Sequence, residues 1–256
     1  MVFYFSATGN TRWAARHMAA ATGDTATDMA AEGAAGKAAA LPPGEPMGIF
    51  FPVHGWRVPA VVGRFVEGLD AAHHAGRYCY ALCTAGDTAG EAMDRLKVAL
   101  RSKGVSLSAV FSLIMPESYV GLPFMDVDTK ENERAKLAEA ERAAAGYAEA
   151  VNGRRRVGEI AHRGRWPRVN SRVVGAFFHR FLVTDRPFRV DAARCVKCGI
   201  CADVCPVGDI AGGLGSEPGW RHNGLCMTCF ACYHHCPQKA IAFGRRTAGK
   251  GQYFHK

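Results

Sequence analysis

The first 150 residues alternate between short apolar runs and longer stretches with helical periodicity. The apolar runs predict strands over residues 2–5, 47–51, 77–82 and 105–115, with a weaker strand near 25–30. The periodic stretches predict helices over residues 11–21, 59–69, 89–102 and 130–151. Strands that alternate with helices form a parallel sheet covered on both faces. We therefore predict a doubly wound α/β domain over residues 1–152, with ligands at the carboxyl ends of its strands.

The chain changes character twice after residue 152. Residues 153–187 form a basic linker, and residues 188–256 form a second, cysteine-rich domain with a tail. Apolar side chains recur at helical spacing within the linker: Val173, Val174, Phe177, Phe178, Phe181 and Leu182. We predict that they form a helix that packs between the two domains.

Eight of the ten cysteines repeat one spacing, C-x2-C-x2-C-x3-C, with a proline directly after each copy. The first copy consists of Cys195, Cys198, Cys201, Cys205 and Pro206. The second copy follows 31 residues later and consists of Cys226, Cys229, Cys232, Cys236 and Pro237. A constant offset throughout both copies indicates a duplicated structural unit.

Three cysteines spaced three apart on a tight turn direct their sulfurs to three irons of one cubane, while the fourth binds the other cluster. We therefore predict two [4Fe–4S] clusters with exchanged ligands. The first cluster is assigned to Cys195, Cys198, Cys201 and Cys236. The second cluster is assigned to Cys226, Cys229, Cys232 and Cys205. Structural zinc is the alternative, but a tetrahedral zinc site needs only two C-x2-C pairs and leaves the third cysteine of each copy without a role.

The other two cysteines, Cys79 and Cys83, lie four residues apart on a predicted strand. Their Cα atoms are then about 13 Å apart, whereas a disulfide needs less than about 7 Å. We predict that both are buried, apolar side chains.

The loop after the first predicted strand combines small hydroxyl residues with glycine and leads into a helix. It consists of Ser6, Ala7, Thr8, Gly9, Asn10 and Thr11. Hydroxyl and backbone N–H groups at a helix N-terminus suit a phosphate group. The loop lacks the Gly-Lys-Ser/Thr of a Walker A motif, and no G-x-G-x-x-G follows a strand. The alternative is an ordinary strand-to-helix turn with a good N-cap.

The cysteine-rich part, about residues 188–244, resembles the bacterial two-cluster ferredoxins, which have an α+β fold and pass single electrons at low potential. The first domain is similar to the flavodoxins, which bind FMN, through the loop from Ser6 to Thr11. This second resemblance implies two further flavin loops after later strands, which comprise Pro52, Val53, His54, Gly55 and Trp56, and Thr84, Ala85, Gly86 and Asp87. It also implies an aromatic surface against the isoalloxazine ring, with His54, Trp56 and Tyr119 as candidates.

The order of the parts resembles the flavodoxin–ferredoxin fusion family of anaerobes called EFR1. That resemblance implies a flavin and iron–sulfur oxidoreductase that relays electrons between two [4Fe–4S] clusters and FMN, to or from a partner redox enzyme. No catalytic residue is predicted. The alternative is a ferredoxin electron donor whose first domain is flavin-free and serves as a docking module.

The net charge of +9 is unevenly distributed. Residues 1–150 contain 14 Lys and Arg against 17 Asp and Glu, whereas residues 151–190 contain ten arginines and two acids. A basic balance alone would suggest nucleic acid, but two clusters with their thiolates add roughly four negative charges and a flavin phosphate about two. We therefore predict no nucleic-acid partner and expect residues 154–189 to meet an acidic redox protein. Attachment to a membrane surface is the last-ranked alternative.

Two sequence features bear on where the protein is expected to reside. The N-terminus lacks the basic segment and cleavage site of a signal peptide. No apolar run approaches the eighteen or so residues of a transmembrane helix. We expect a cytoplasmic protein without a transmembrane segment.

Overall fold

The computed structural model describes residues 1–31, 33–70, 74, 76–159 and 162–255. Within these ranges six strands form one sheet: β1 (Val2–Tyr4), β2 (Ala26–Asp28), β3 (Met47–Pro52), β4 (Cys79–Ala85), β5 (Leu107–Ile114) and β6 (Val157–Glu159). All neighbouring strands are parallel, and their spatial order is β2-β1-β3-β4-β5-β6. The first five strands follow the order 2-1-3-4-5 of flavodoxin-like folds. The predicted doubly wound sheet is confirmed.

Helices cover both faces of this sheet. They are α1 (Asn10–Thr22), α2 (Ala34–Ala39), α3 (Ala60–Glu67), α4 (Ala92–Arg101) and α5 (Lys130–Asn152). Successive strand residues point to opposite faces, so Phe51 joins the apolar cluster beneath α2, α3 and α4, and Phe50 joins the cluster beneath α1 and α5. Burial on both faces explains why the strands are continuous apolar runs. Cys79 and Cys83 are fully buried and unbridged, as predicted.

The sixth strand was not predicted and begins beyond the predicted domain end at residue 152. It pairs with β5 in the segment that the sequence assigns to the basic linker. Ser112 of β5, which is fully buried, anchors the chain after this strand because its hydroxyl accepts the backbone N–H of His162 at 2.9 Å. Three residues flanked by arginines carry too weak a periodic signal to reveal a strand, and only pairing with β5 creates it.

The linker contains the predicted helix, α6, which spans residues 167–182 and alternates between α-helical and π-helical turns. Its expected burial between two domains is wrong for four of the apolar side chains. Val173, Val174, Phe177 and Phe181 remain 42–64% exposed. The helix instead packs through Ser171, Gly175 and Phe178. The small residues on that side allow the helix backbone to approach the sheet domain closely. The larger side chains therefore face outward.

The cysteine-rich part is a small α+β unit, as predicted. Its first and last strands, β7 (Phe188–Val190) and β10 (Ile241–Phe243), pair antiparallel. Between them lie α7 (Ile200–Asp203), the two-stranded ribbon of β8 (Ile210–Ala211) and β9 (Gly219–Trp220), and α8 (Ala231–His234). A third apolar cluster holds this unit together, with Phe188, Phe230 and Phe243 buried in it.

The two parts of the chain exchange buried side chains. Met227 of the second cysteine copy joins the apolar cluster of the sheet domain, and Val120, from the segment after β5, joins the cluster of the cysteine-rich unit. The C-terminal tail adds polar contacts, because Lys250 Nζ donates to the carbonyl oxygens of Val120, Leu122 and Met125. The sheet domain and the cysteine-rich unit therefore share one continuous interface.

None of the helices in the described ranges has the length and apolar character required to cross a lipid bilayer.

We predict that Lys250→Met lowers the free energy of unfolding by about 1.5–3 kcal/mol, since three carbonyl oxygens lose a charged donor. The measurement is the denaturant midpoint of the anaerobically purified protein, compared with wild type. Lys37→Met, which removes an exposed ammonium from α2, is the control and changes stability by less than about 0.5 kcal/mol. Equal midpoints for the two variants would show that the tail contributes nothing to the interface.

Candidate cofactor sites

An open cleft of about 700 Å³ lies at the carboxyl ends of β1, β3 and β4. Its lining includes most of the predicted flavin-loop residues: Ser6, Ala7, Thr8, Asn10, Thr11, Pro52, Val53, His54, Thr84, Ala85 and Gly86. The three loops are distant in sequence, but the carboxyl ends of parallel strands meet at one edge of the sheet. The structure therefore brings the three loops together around a single space.

A second cleft of about 580 Å³ adjoins the first and shares His54, Ala85 and Gly86 with it. Gly55, Trp56 and Asp87, which the sequence also assigns to the flavin, line this second cleft. Trp56 is held there by a hydrogen bond of 3.1 Å from its Nε1 to the hydroxyl of Thr88. Of the candidate aromatic residues, His54 and Tyr119 border both spaces, whereas Trp56 borders only the second.

The first loop leaves several donors free at the N-terminus of α1. Gly9 precedes the helix with a φ of +95°, and no side chain caps the helix. Among the described residues, none accepts a hydrogen bond from the backbone N–H groups of Ala7, Thr8, Asn10 or Thr11. Free N–H groups at the positive end of a 13-residue helix suit an anion. The loop fits a phosphate group.

All four polar side chains of this loop already have protein partners. Asn10 donates to the carbonyl of Pro116 at 2.9 Å and accepts from the hydroxyl of Tyr253 at 2.6 Å. Thr11 shares a hydrogen bond of 2.8 Å with Thr84. Both side chains are buried and connect the first loop to its neighbours. The hydroxyl of Thr8 donates to that of Ser118 at 3.2 Å, and the hydroxyl of Ser6 accepts the backbone N–H of Gly9 at 3.2 Å, while both residues still line the cleft.

Several residues that line the cleft were not predicted to do so from the sequence, and four of them matter most. Glu117 and Ser118 follow β5. Because β5 is parallel to β1, β3 and β4 and ends at the same edge of the sheet, the residues after it could have been predicted to line the cleft. Met227 and Cys229 belong to the second cysteine copy. No pattern within the sequence relates them to the first loop, because the two segments are more than 200 residues apart.

Burial shifts the pKa of two ionisable groups at the cleft toward the neutral form. It lowers the pKa of His54 to about 3, with a smaller effect from neighbouring His179. Burial also raises the pKa of Glu117, although that carboxylate accepts hydrogen bonds from the backbone N–H groups of Ser118 and Tyr119 at 2.8 and 2.7 Å. The cleft therefore offers a neutral imidazole near the middle of the site.

The first predicted set of cluster ligands surrounds a cavity of about 350 Å³. Cys195, Cys198 and Cys201 come from the first copy, and Cys236 reaches the same cavity from the second. Cys198 is exposed. Cys236, which the spacing assigns to the cluster of the other copy, thus lies with the three cysteines of the first copy. The exposure of Cys198 opens this site to solvent.

The second predicted set lies deeper. Burial raises the pKa of the Cys229 and Cys232 thiols, and the nearby thiol of Cys205 adds a smaller electrostatic increase to both. Burial also raises the pKa of Cys226 to about 12, and that of Cys229 to about 11. Thiols in such surroundings stay protonated unless a metal compensates the charge of the thiolate.

Backbone N–H groups point at the sulfurs in a repeated pattern. Asp209 donates to Cys205 at 3.3 Å and Ala240 donates to Cys236 at 3.2 Å, each from four residues further along the chain. Such hydrogen bonds stabilise thiolate ligands and tune cluster potentials. In the described ranges no three Cys, His, Asp or Glu side chains converge so as to hold a single metal ion. The thiols of the first set surround a cavity, which suits a cluster of several metal atoms.

Known proteins resemble the two parts separately. The family of 4Fe-4S dicluster domains matches residues 188–237. The two-electron reduced flavodoxin of Megasphaera elsdenii is 19% identical, with a TM-score of 0.39, over 58% of this chain and 98% of that protein. An oxidoreductase of Corynebacterium diphtheriae is 14% identical, with a TM-score of 0.41, over 60% of this chain and 95% of that protein. No curated protein matches the chain.

The structural likenesses are too weak to carry an argument, so the class of the first domain rests on its strand order. That order defines a flavodoxin-like sheet, and the family match defines residues 188–237 as a 4Fe-4S dicluster domain. A dicluster domain joined to a flavodoxin-like sheet serves electron transfer, which requires a redox partner.

We predict that His54→Phe reduces the loss of stability at acid pH. The pKa of His54 in the folded chain, about 3, lies below its ordinary value of 6.5. The neutral imidazole therefore contributes stability above about pH 6.5, and this contribution is lost as the pH falls toward 3. At about pH 5 the loss amounts to about 2 kcal/mol. Denaturant midpoints at about pH 7.5 and 5, without added FMN, measure it. If the midpoints at the two pH values differ as much in the variant as in wild type, the lowered pKa assigned to His54 is wrong.

Proposed function

We propose that this protein relays electrons between two [4Fe–4S] clusters and an FMN bound in the first cleft, to or from a redox partner protein. The observation that carries the proposal is the lining of that cleft. Met227 and Cys229 of the second cysteine copy border the same space as Ser6 and Thr8 of the phosphate loop. A flavin there would lie directly beside a cluster ligand.

The chain's own groups divide the work of holding FMN. The free N–H groups of the first loop and the hydroxyls of Ser6 and Thr8 would bind the phosphate. His54 and Tyr119 would offer aromatic surface to the ring. FMN, when bound, accepts or donates one or two electrons, whereas each cluster exchanges one.

For the clusters we propose the exchanged ligand sets predicted from the cysteine spacing. The exposure of Cys198 supports the first site as the one that meets the partner. The position of Cys229 at the cleft supports the second site as the one next to FMN. Electrons would then pass between the partner and the flavin through the first cluster and the second, in either direction.

The finer family and partner assignments are also proposals. The order of a flavodoxin-like sheet, an arginine-rich segment and a dicluster domain supports a fusion protein of the EFR1 type. We propose domain ends near residues 152 and 188, with the last strand of the sheet supplied by the linker. The ten arginines of residues 151–190 support an acidic redox protein as the partner.

A flavin-free docking module is the second candidate, and one contact favours it. The C-terminal tail packs against the phosphate loop, where the backbone N–H of His255 donates to the Thr8 carbonyl at 2.7 Å. A Cβ atom built on Gly9 would lie 2.0 Å from the carbonyl oxygen of His255. If this candidate is correct, the loop binds the C-terminal tail and not a phosphate group.

We predict that the anaerobically purified protein binds FMN, and riboflavin far more weakly. Thr8→Ala weakens FMN binding about ten- to hundredfold, the effect of losing one hydrogen bond to a charged group. Thr22→Ala removes a hydroxyl at the far end of α1 and leaves the affinity unchanged. Fluorescence titration measures the affinities, and stopped-flow absorption tests the relay, with a low-potential donor bleaching the clusters before the flavin.

Two results would contradict the relay. Absence of FMN binding would favour the docking module. FMN that binds but is never reduced through the clusters would make the two sites neighbours without electron exchange.

We predict that Cys205→Ala destroys the cluster of the second copy and leaves the other intact. Iron should fall from about eight to about four per chain. Since Cys205 and Cys229 would serve one cluster, their alanine variants should leave the same residual EPR spectrum. Cys195→Ala should leave a different one. A residual spectrum of Cys205→Ala that matches Cys195→Ala would mean that each copy binds its own cluster.

A further inference from the structure

A row of large apolar side chains lies exposed along the outer side of α6. We call it the α6 stripe, and it consists of Trp166, Val169, Val173, Phe177 and Phe181. Their exposed fractions are 61, 48, 64, 57 and 63%. Spacings of three and four residues place all five on one side of a helix. Exposed apolar rows of this kind mark surfaces that are covered by another molecule.

The α6 stripe cannot be buried by rotation of the helix. Ser171 on the opposite side accepts the backbone N–H of Glu91 at 2.8 Å, and the ring of His179 bonds the carbonyl of His54 at 2.9 Å. A Cβ atom built on Gly175 would lie 2.6 Å from the carbonyl oxygen of Gly55. These contacts hold the inner side of α6 against the loops of the sheet domain, so the stripe faces outward.

Positive charge is interleaved with the stripe. Residues 163–182 contain five arginines and no Asp or Glu. Arg172 pairs with Glu91, and Arg163 pairs with Asp94. The other three, Arg165, Arg168 and Arg180, are exposed and form no ion pair within 4 Å among the described residues, although Arg168 lies close enough to Glu91 to help lower the pKa of that carboxyl. The guanidinium of Arg165 lies 5.7 Å from the ring centre of Trp166.

We propose that the α6 stripe and its three unpaired arginines bind the surface of an anionic lipid membrane. Aromatic and aliphatic side chains of a surface helix enter the boundary between headgroups and acyl chains, while arginines pair with lipid phosphates. The charge of such a surface complements the arginines of α6 that form no ion pair. Tryptophan at one end of the stripe suits the headgroup region.

Within residues 163–182 the arrangement of charge favours lipid over an acidic protein, which leaves the other five arginines of residues 151–190 to the redox partner. Protein interfaces gather apolar side chains in a central patch and place charged ones at the rim. Each unpaired arginine of this segment is adjacent in sequence to a stripe residue: Arg165 to Trp166, Arg168 to Val169 and Arg180 to Phe181. Mixed rows on one convex helix match a headgroup layer, in which phosphates and acyl carbons lie within one side-chain length of each other.

Membrane binding would orient the cofactor cleft. Phe178, on the inner side of α6, lines the second cleft together with His54. The clefts are then separated from the lipid by one helix, about 10 Å across. The proposal goes beyond the proposed relay and does not depend on it, because lipid binding needs neither FMN nor electron transfer.

The test is flotation of the anaerobically purified full chain with vesicles of phosphatidylcholine and phosphatidylglycerol in equal amounts, against vesicles of phosphatidylcholine alone. We expect binding to the anionic vesicles that weakens with salt. Phe177→Ser with Phe181→Ser should lower the partition coefficient at least about tenfold. Arg168→Gln with Arg180→Gln should lower it about 25-fold, since each cation contributes about fivefold. The corresponding lysine pair retains binding.

The controls remove equivalent groups elsewhere. Val98→Ser deletes an exposed apolar side chain on α4 and Arg134→Gln an exposed cation on α5, and both should float like wild type. Cluster absorption equal to wild type shows that each variant is folded. Failure of wild type to float with anionic vesicles overturns the proposal, as does unchanged flotation of the serine pair. A wild-type dimer in light scattering that the serine pair converts to monomer, without lipid binding, assigns the stripe to a second copy.

Discussion

The exchange of Met227 and Val120 between the two apolar cores determines where everything else in this chain lies. Met227 is flanked by Cys226 and Thr228, so its burial in the sheet domain holds the second cysteine copy against the carboxyl edge of the sheet. Val120 does the same in the other direction for the segment after β5. Each exchange removes one apolar side chain from water, and together they leave little freedom for one part to rotate on the other.

The same burial sets the electrostatics of the two cofactor sites. Desolvation disfavours charged forms, which keeps the His54 imidazole neutral and the thiols of Cys226 and Cys229 protonated in the absence of metal. N–H groups from Asp209 and Ala240 are already aimed at sulfurs. The site is thus arranged for groups that arrive with their own charge: iron for the thiols, and a phosphate for the N-terminus of α1.

The close packing of α6 follows from small residues, and its exposed stripe follows from the same cause. Gly175 allows the helix backbone to approach the carbonyl of Gly55, and only Phe178 among the phenylalanines of α6 is buried there. Because the side of α6 with small residues is held against the sheet domain, the side with large residues faces outward. The apolar periodicity of this segment therefore predicts a helix correctly but does not indicate which side is covered.

The sequence by itself determined the features that depend on neighbours within a few residues. The strand and helix order, the phosphate loop at the start of α1 and the two cysteine copies all follow from local spacing, because backbone geometry converts such spacing directly into direction. The spacing within each copy also predicts that Cys236 and Cys205 each bind the cluster of the other copy. Tertiary structure alone decided the contacts between distant segments: Cys229 beside the phosphate loop, Tyr253 on Asn10, and β6 beside β5. Such contacts depend on which apolar surfaces bury one another, and burial is a property of the assembled chain that no local pattern records.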